Sequence, residues 1–256
     1  MTIPIAAESF HMTTDLGTLC SDFYVNQRMS LTMDLPSGRE TVLDMFDRVR
    51  RELPGMKRFR RYDGELALES PDQEGRYCWV GLRRTSVRSG WVNPQTLEEA
   101  YRLQRILLET APYFLSITPL DVEAIELVFG FDLHAQRNRN EVVFDALLSN
   151  SPLAALVESG REEMLDVQPF LGLALDESAR LQASLEVKTR VGPAELQSKR
   201  WEDEPISVYL TVRREGPFEE IEQFKETFGI LAGHLERLAE ERVIPGIIVP
   251  LHNAIL

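Results

Sequence analysis

The sequence is short of cysteine, histidine and long apolar runs, and each shortage excludes something. Its two cysteines, Cys20 and Cys78, stand alone, without a Cys-x-x-Cys pair or a histidine at metal-ligand spacing, so the chain encodes neither a disulfide framework nor a zinc module. Two free thiols fit a reducing compartment. The four histidines, His11, His134, His234 and His252, are scattered along the chain, and no metal or other cofactor is expected. No apolar run approaches the roughly 20 residues that cross a bilayer, which argues against a membrane partner. The opening MTIPIAAESFHMTTDLG has no basic stretch and no sustained apolar core, so the reading predicts a cytoplasmic protein rather than a secreted one. Phosphate-loop, dinucleotide-turn, nucleophile-elbow and calcium-loop motifs are all missing.

What remains is ordinary globular material. The 256 residues are 43% hydrophobic and 27% charged, enough to bury a sizeable core without staples. The charge is unevenly spread. Residues 1–120 carry 15 Lys and Arg against 16 Asp and Glu, and the remainder carries 13 against 25, so nearly all of the net −13 lies in the second half. Such a half repels nucleic acid.

Self-comparison finds three matches in the same order. Gly64–Ser70 (GELALES) resembles Leu171–Ser178 (LGLALDES), Ser30–Leu35 (SLTMDL) resembles Val128–Leu133 (VFGFDL), and Leu97–Leu108 (LEEAYRLQRILL) resembles Phe218–Gly229 (FEEIEQFKETFG). The order implies an internal duplication, with a first repeat over residues 1–120 and a second over 121–256. The second would hold an insertion near 191–205 and an apolar tail, IPGIIVPLHNAIL.

Periodicity fills in the elements. The first half reads as a strand over about 23–35, a helix over about 39–53, strands over about 57–70 and 76–92, and a helix over about 95–112. The second reads as a strand over about 121–133, a helix over about 140–158, strands over about 164–176, 179–190 and 206–214, and a helix over about 217–242. This order predicts an α+β fold of duplicated ferredoxin-like β-α-β-β-α units, with one or two antiparallel sheets and helices on one face. Phe224, Phe228, Leu231, Leu235 and Leu238 recur at helical spacing and predict core. The tail is expected to pack on the body as a last strand, or on a second subunit.

Strand alternation then selects candidate ligand-binding residues. If Met29, Leu31, Met33 and Leu35 face the helices, Arg28, Ser30, Thr32 and Asp34 face away. The second half likewise exposes Glu126, Gly130 and Asp132, and its later strands expose Gln182, Ser184, Glu186, Lys188, Ser207, Tyr209, Thr211 and Arg213. Arg28, Asp34, Asp132, Tyr209 and Arg213, with Trp79 nearby, would orient a polar small molecule on this open face. Asp34 and Asp132 would pair across a pseudo-twofold axis and raise one carboxyl pKa. Arg137 and Arg139, at a helix start, would hold an anion, and the plainer role for that turn is a helix cap supplied by Asn138 or Asn140. The basic run Lys57–Tyr62, with Arg83, Arg84 and Arg88, would meet acidic surface.

These features favour a non-catalytic interaction or assembly protein whose partner is itself or another protein. A small-molecule binder using the open sheet face is the alternative, and a carboxylate-based enzyme the second alternative.

Overall fold

The computed structural model describes residues 16–36, 38–158 and 161–256; the N-terminal segment read above lies almost wholly outside them. Alternating apolar residues build the first strand, β1 (Asp22–Leu31), where Phe23, Val25 and Met29 are buried and Arg28 is exposed. Helix α1 (Arg39–Glu52) follows, burying Val42, Met45, Phe46 and Val49 on one stripe. A meander comes next: β2 (Arg58–Tyr62), β3 (Glu65–Glu69), β4 (Tyr77–Arg83) and β5 (Ser86–Val92). Helix α2 (Leu97–Phe114) closes the first half. Its Thr96 cap accepts from the Glu99 amide at 3.3 Å, while the Glu99 carboxylate accepts from the Gln95 amide at 2.8 Å, a reciprocal closure of the free helix end.

The second half runs through β6 (Val122–Leu133), α3 (Arg139–Leu147), β7 (Phe170–Ala174), β8 (Leu181–Lys188), α4 (Pro193–Ser198) and β9 (Ile206–Glu215). It ends in α5 (Glu222–Leu238), a π-helical stretch over Ala239–Ile248 and α6 (Val249–Ile255).

All the strands join one open antiparallel sheet in the order β2-β3-β4-β5-β1-β6-β9-β8-β7. The question of one sheet or two is settled at its centre, where β1 and β6 pair from Asp22↔Asp132 to Leu31↔Val122. The helices pack on one face. Tyr101 of α2 stacks edge-on against Phe228 of α5, with ring centroids 5.4 Å apart, and its hydroxyl donates to Glu236 at 2.9 Å. The stripe expected to be core, from Phe224 to Leu238, is buried.

Ferredoxin-like units are not shown. Each of the two long strands expected over 57–70 and 76–92 is instead a hairpin. One turns at Asp63-Gly64, where Gly64 adopts φ +72°, and the other at Arg84-Thr85. An Asp-Gly pair between alternating segments is a hairpin signal, and only glycine takes that backbone angle without strain. The added strands place β5 antiparallel beside β1. The stretch 191–205 contains α4, which buries Glu195 and Leu196. Two further expectations change. β1 ends at Leu31, so Met33 is not inward-facing but 65% exposed. The apolar tail packs on the body as helix, not strand, burying Ile244, Ile248 and Leu251. Its apolar residues recur every three or four positions, and the wide π turn accommodates Pro245, which has no amide to donate.

Candidate functional site

The face of the sheet away from the helices is the candidate site. On β1 it presents Tyr24, Asn26 and Arg28, opposite Gly130, Val128 and Glu126 of β6. Two glycines shape it. The Tyr24 ring lies over Gly130 and the Trp79 indole over Gly90, in the space that a side chain at either position would fill. Each ring therefore packs on the neighbouring strand where the glycine leaves room.

A shallow basin of about 400 Å³ sits at the centre, lined among others by Arg28, Trp79, Arg88, Glu126, Lys188 and Tyr209. The Arg88 guanidinium lies 5.5 Å from the Trp79 ring and the Lys188 ammonium 5.8 Å from the Tyr209 ring, both within cation–π range. Each cation also has an acid: Arg28 approaches Glu126 at 3.8 Å, Lys188 approaches Glu186 at 3.2 Å, and Arg88 approaches Glu65 at 3.6 Å. The basin's charges are thus matched by the face itself.

A tighter polar network occupies one end. Asp132 Oδ1 accepts from the Ser207 hydroxyl at 2.5 Å and from the Tyr24 hydroxyl at 3.4 Å. Arg190 donates to the Ser207 hydroxyl at 2.7 Å and to the Tyr209 hydroxyl at 2.8 Å. Across the ladder Asp22 faces Asp132 in register, and Asp22 accepts from the Asn93 amide at 2.6 Å. Burial pushes the Asp132 carboxyl pKa up; the Ser207 hydrogen bond and Arg190 oppose this, Asp22 adds to it, and the net direction is upward. Burial and the Asp132 charge likewise push the Tyr24 hydroxyl up.

The sign of that shift makes a prediction. A carboxyl raised on folding favours the folded state below its unfolded pKa, and this contribution is lost as pH rises through the raised value. Asp132→Asn removes the charge while keeping an acceptor for Ser207. The variant is expected to melt above the parent chain at neutral pH, with the difference vanishing toward pH 3. Thermal melts across that range check it, and a variant less stable at neutral pH overturns it.

The sequence-selected residues divide in two. Arg28, Trp79 and Tyr209 meet in the basin, Asp132 stands at the end of the same face, and Arg213 borders a neighbouring depression with Glu126 and pairs with Glu215 at 3.1 Å. The others are elsewhere. Asp34 does not meet Asp132, because antiparallel pairing sends the two to opposite ends of the β1–β6 ladder; both Asp34 oxygens instead accept from Arg84 Nε at 2.9 Å. Arg137 pairs with Asp145 at 3.1 Å and caps the Ala254 carbonyl at 3.0 Å, holding α3 to α6. Arg139 is fully buried and bound to Glu195, so its anion is a side chain of its own chain and not a ligand from solvent. Asn138 caps α3, accepting from the Asn140 amide at 3.0 Å.

Ser207, placed on the open face by strand alternation, joins this network. Sequence reading missed Tyr24 and Arg190. Tyr24 shares the alternation that selected Arg28, so it was findable. Arg190 was not: it follows the end of β8 with φ +50°, where strand periodicity no longer says where a side chain points.

The two thiols are inert by placement. Burial pushes Cys20 up to about 12 and Cys78 up to about 11, so neither supplies a thiolate nucleophile at neutral pH. Among the described residues no group of three His, Cys, Asp or Glu side chains gathers as a metal cage, and no helix is long and apolar enough to cross a membrane. No protein-family model matches the chain, and no curated protein matches it.

Proposed function

We propose that this is a non-catalytic assembly protein that joins a second copy of itself through the outer edge of β7. One observation carries the reading: the two edges of the sheet are built oppositely. At one edge, β2 presents Arg58, Arg60 and Arg61, and charges of one sign discourage pairing with another copy. At the other, β7 reads Phe-Leu-Gly-Leu-Ala, without charge or proline, and all five residues are exposed. Leu171 and Leu173 lie on the helix-facing side, since they pair with Leu185 and Ala183 of β8, yet they are 56% and 39% exposed.

The reason for that exposure supports the reading. Outward from the β1–β6 centre the first half runs β5-β4-β3-β2 and the second β9-β8-β7. Under the duplication inferred from sequence, β7 corresponds to β3 and the second half is one strand short. In the first half β2 covers β3, and Phe59 of β2 stacks on Phe46 of α1 at 5.9 Å. A second copy's β7, antiparallel and centred on Gly172, supplies the missing strand. It sets Leu171 against Leu173 of the other copy twice, a self-complementary closed contact.

Sedimentation velocity on the full chain tests this. The expected result is a dimer that the double substitution Leu171→Lys/Leu173→Lys converts to monomer, with circular dichroism unchanged because both leucines are exposed. A parent chain that stays monomeric across the micromolar range, or a dimer the substitutions leave intact, overturns it.

A small-molecule role for the open face has one favourable observation, the basin between Trp79 and Tyr209. Its cations are already neutralised by its own acids, so an incoming polar ligand must break ion pairs to bind. The carboxylate-enzyme reading lacks its expected pair, Asp34 with Asp132.

A further inference from the structure

We propose that the groove between α1 and the outer end of the β2–β4 hairpins binds a small amphipathic anion, a carboxylate carrying an apolar chain or ring. The groove encloses about 790 Å³, within the range of small-molecule sites. It lies at the opposite end of the sheet from β7 and is independent of the assembly reading.

Its walls are apolar. Val42 of α1 and Leu82 of β4 are buried beneath it, Leu35 and Leu66 are half-buried, and Leu43 and Phe59 remain 37% and 50% exposed along its length. The register explains the grouping: Arg61, Leu66 and Leu82 stand side by side on β2, β3 and β4 and face the same way. The backbone of the opposing wall is fixed to the sheet, because the Leu35 amide donates to the Arg84 carbonyl at 2.8 Å.

The charges at the mouth then choose the ligand. Four arginines and two acids border the groove. The acids are engaged, Asp34 by Arg84 at 2.9 Å and Glu65 by Arg83 at 2.6 Å. Arg39 and Arg61 have no acid partner among the described residues. Two guanidiniums thus flank an apolar trough with their donors unused, in a chain whose net charge is −13. A guanidinium binds a carboxylate through two parallel hydrogen bonds, and an apolar tail would cover Leu43, Phe59 and Leu66 in one step. A neutral apolar molecule leaves the arginines idle, and a bare anion leaves the trough wet. The amphipathic carboxylate satisfies both halves.

Isothermal titration calorimetry of the full chain with decanoate, decanol and acetate tests the assignment. Decanoate is expected to bind at one site per chain, more tightly than either decanol or acetate. Arg39→Gln/Arg61→Gln is expected to weaken decanoate at least about tenfold, the loss of charge-assisted hydrogen bonds, and to leave decanol unchanged. Both arginines are exposed, so the variant should fold as the parent does. Leu43→Glu is expected to abolish decanoate binding from the apolar side. Three outcomes overturn the proposal: no decanoate binding, decanol or acetate binding as tightly as decanoate, or equal decanoate affinity in the parent and the double arginine variant. The Leu171→Lys/Leu173→Lys chain is expected to bind decanoate like the parent, so failure of the edge contact and failure of the groove register separately.

Discussion

Replacing Arg139 by methionine is expected to lower unfolding stability by about 3–5 kcal/mol, the usual cost of breaking a buried ion pair from one side. Arg139 is fully buried and fastens the segment between β8 and β9. It donates to the Thr189 carbonyl at 2.6 Å, to the Glu202 carbonyl at 2.9 Å, and to both Glu195 oxygens at 2.9 and 3.1 Å. Glu195 also accepts from the Gly192 and Glu202 amides, each at 2.8 Å. Burial alone would raise the Glu195 pKa, but those amides and Arg139 outweigh it, and the carboxyl sits below its usual range.

Methionine fills much of the same volume and supplies no donor, so a carboxylate and the carbonyls are left without their partner. Two readouts separate this from simple misfitting. In urea titrations Arg139→Met/Glu195→Gln is expected to recover part of the loss, since it removes the stranded charge and keeps a carbonyl acceptor for the backbone amides. The gap between Arg139→Met and the parent should also narrow on acidification. A carboxyl whose folded pKa is depressed contributes stability above its unfolded pKa and loses it as pH falls through the folded value. A double variant as unstable as the single one, with a gap independent of pH, would count against the ion pair as the cause.

The second large effect is expected at Gly130. Alanine there needs no unusual backbone angle, and glycine in a strand is ordinarily the weaker choice, so propensity alone predicts a gain. The structure predicts a loss of about 1–3 kcal/mol, the range for overpacking, because the Tyr24 ring occupies the space the methyl group requires. Moving the ring also breaks its edge contact with Tyr209, 6.2 Å between centroids, and its hydrogen bond to Asp132. A double-mutant cycle decides the matter. Gly130→Ala should be harmful in the parent chain and neutral or stabilising in Tyr24→Ala. Equal effects in both backgrounds would sink the explanation.

Much of the fold was legible in local patterns. Alternation placed Arg28, Glu126, Tyr209 and Arg213 on one face of the sheet, and their neighbours carry the core on the other. Helical spacing marked Phe224 to Leu238 as buried. The hairpin turn at Asp63-Gly64 was visible too, but residues 57–70 were read through it as a single strand, and the strand count came out too low. The role of Arg139 was hidden for a different reason. A basic residue at a helix start has the same local signature whether it faces an anion in solvent or a glutamate 56 positions later.

The α+β class, the two-faced character of the strands and the buried stripe from Phe224 to Leu238 could be read from the chain alone, because they follow from periodicities set within a few bonds. Long-range pairing set the rest: β1 and β6 fuse the halves into one sheet, Asp132 faces Asp22 rather than Asp34, and one edge is guarded by arginines while the other is bare. These outcomes depend on which distant segments pair and in what register. That choice is governed by the packing of the whole chain, so no short stretch of sequence records it.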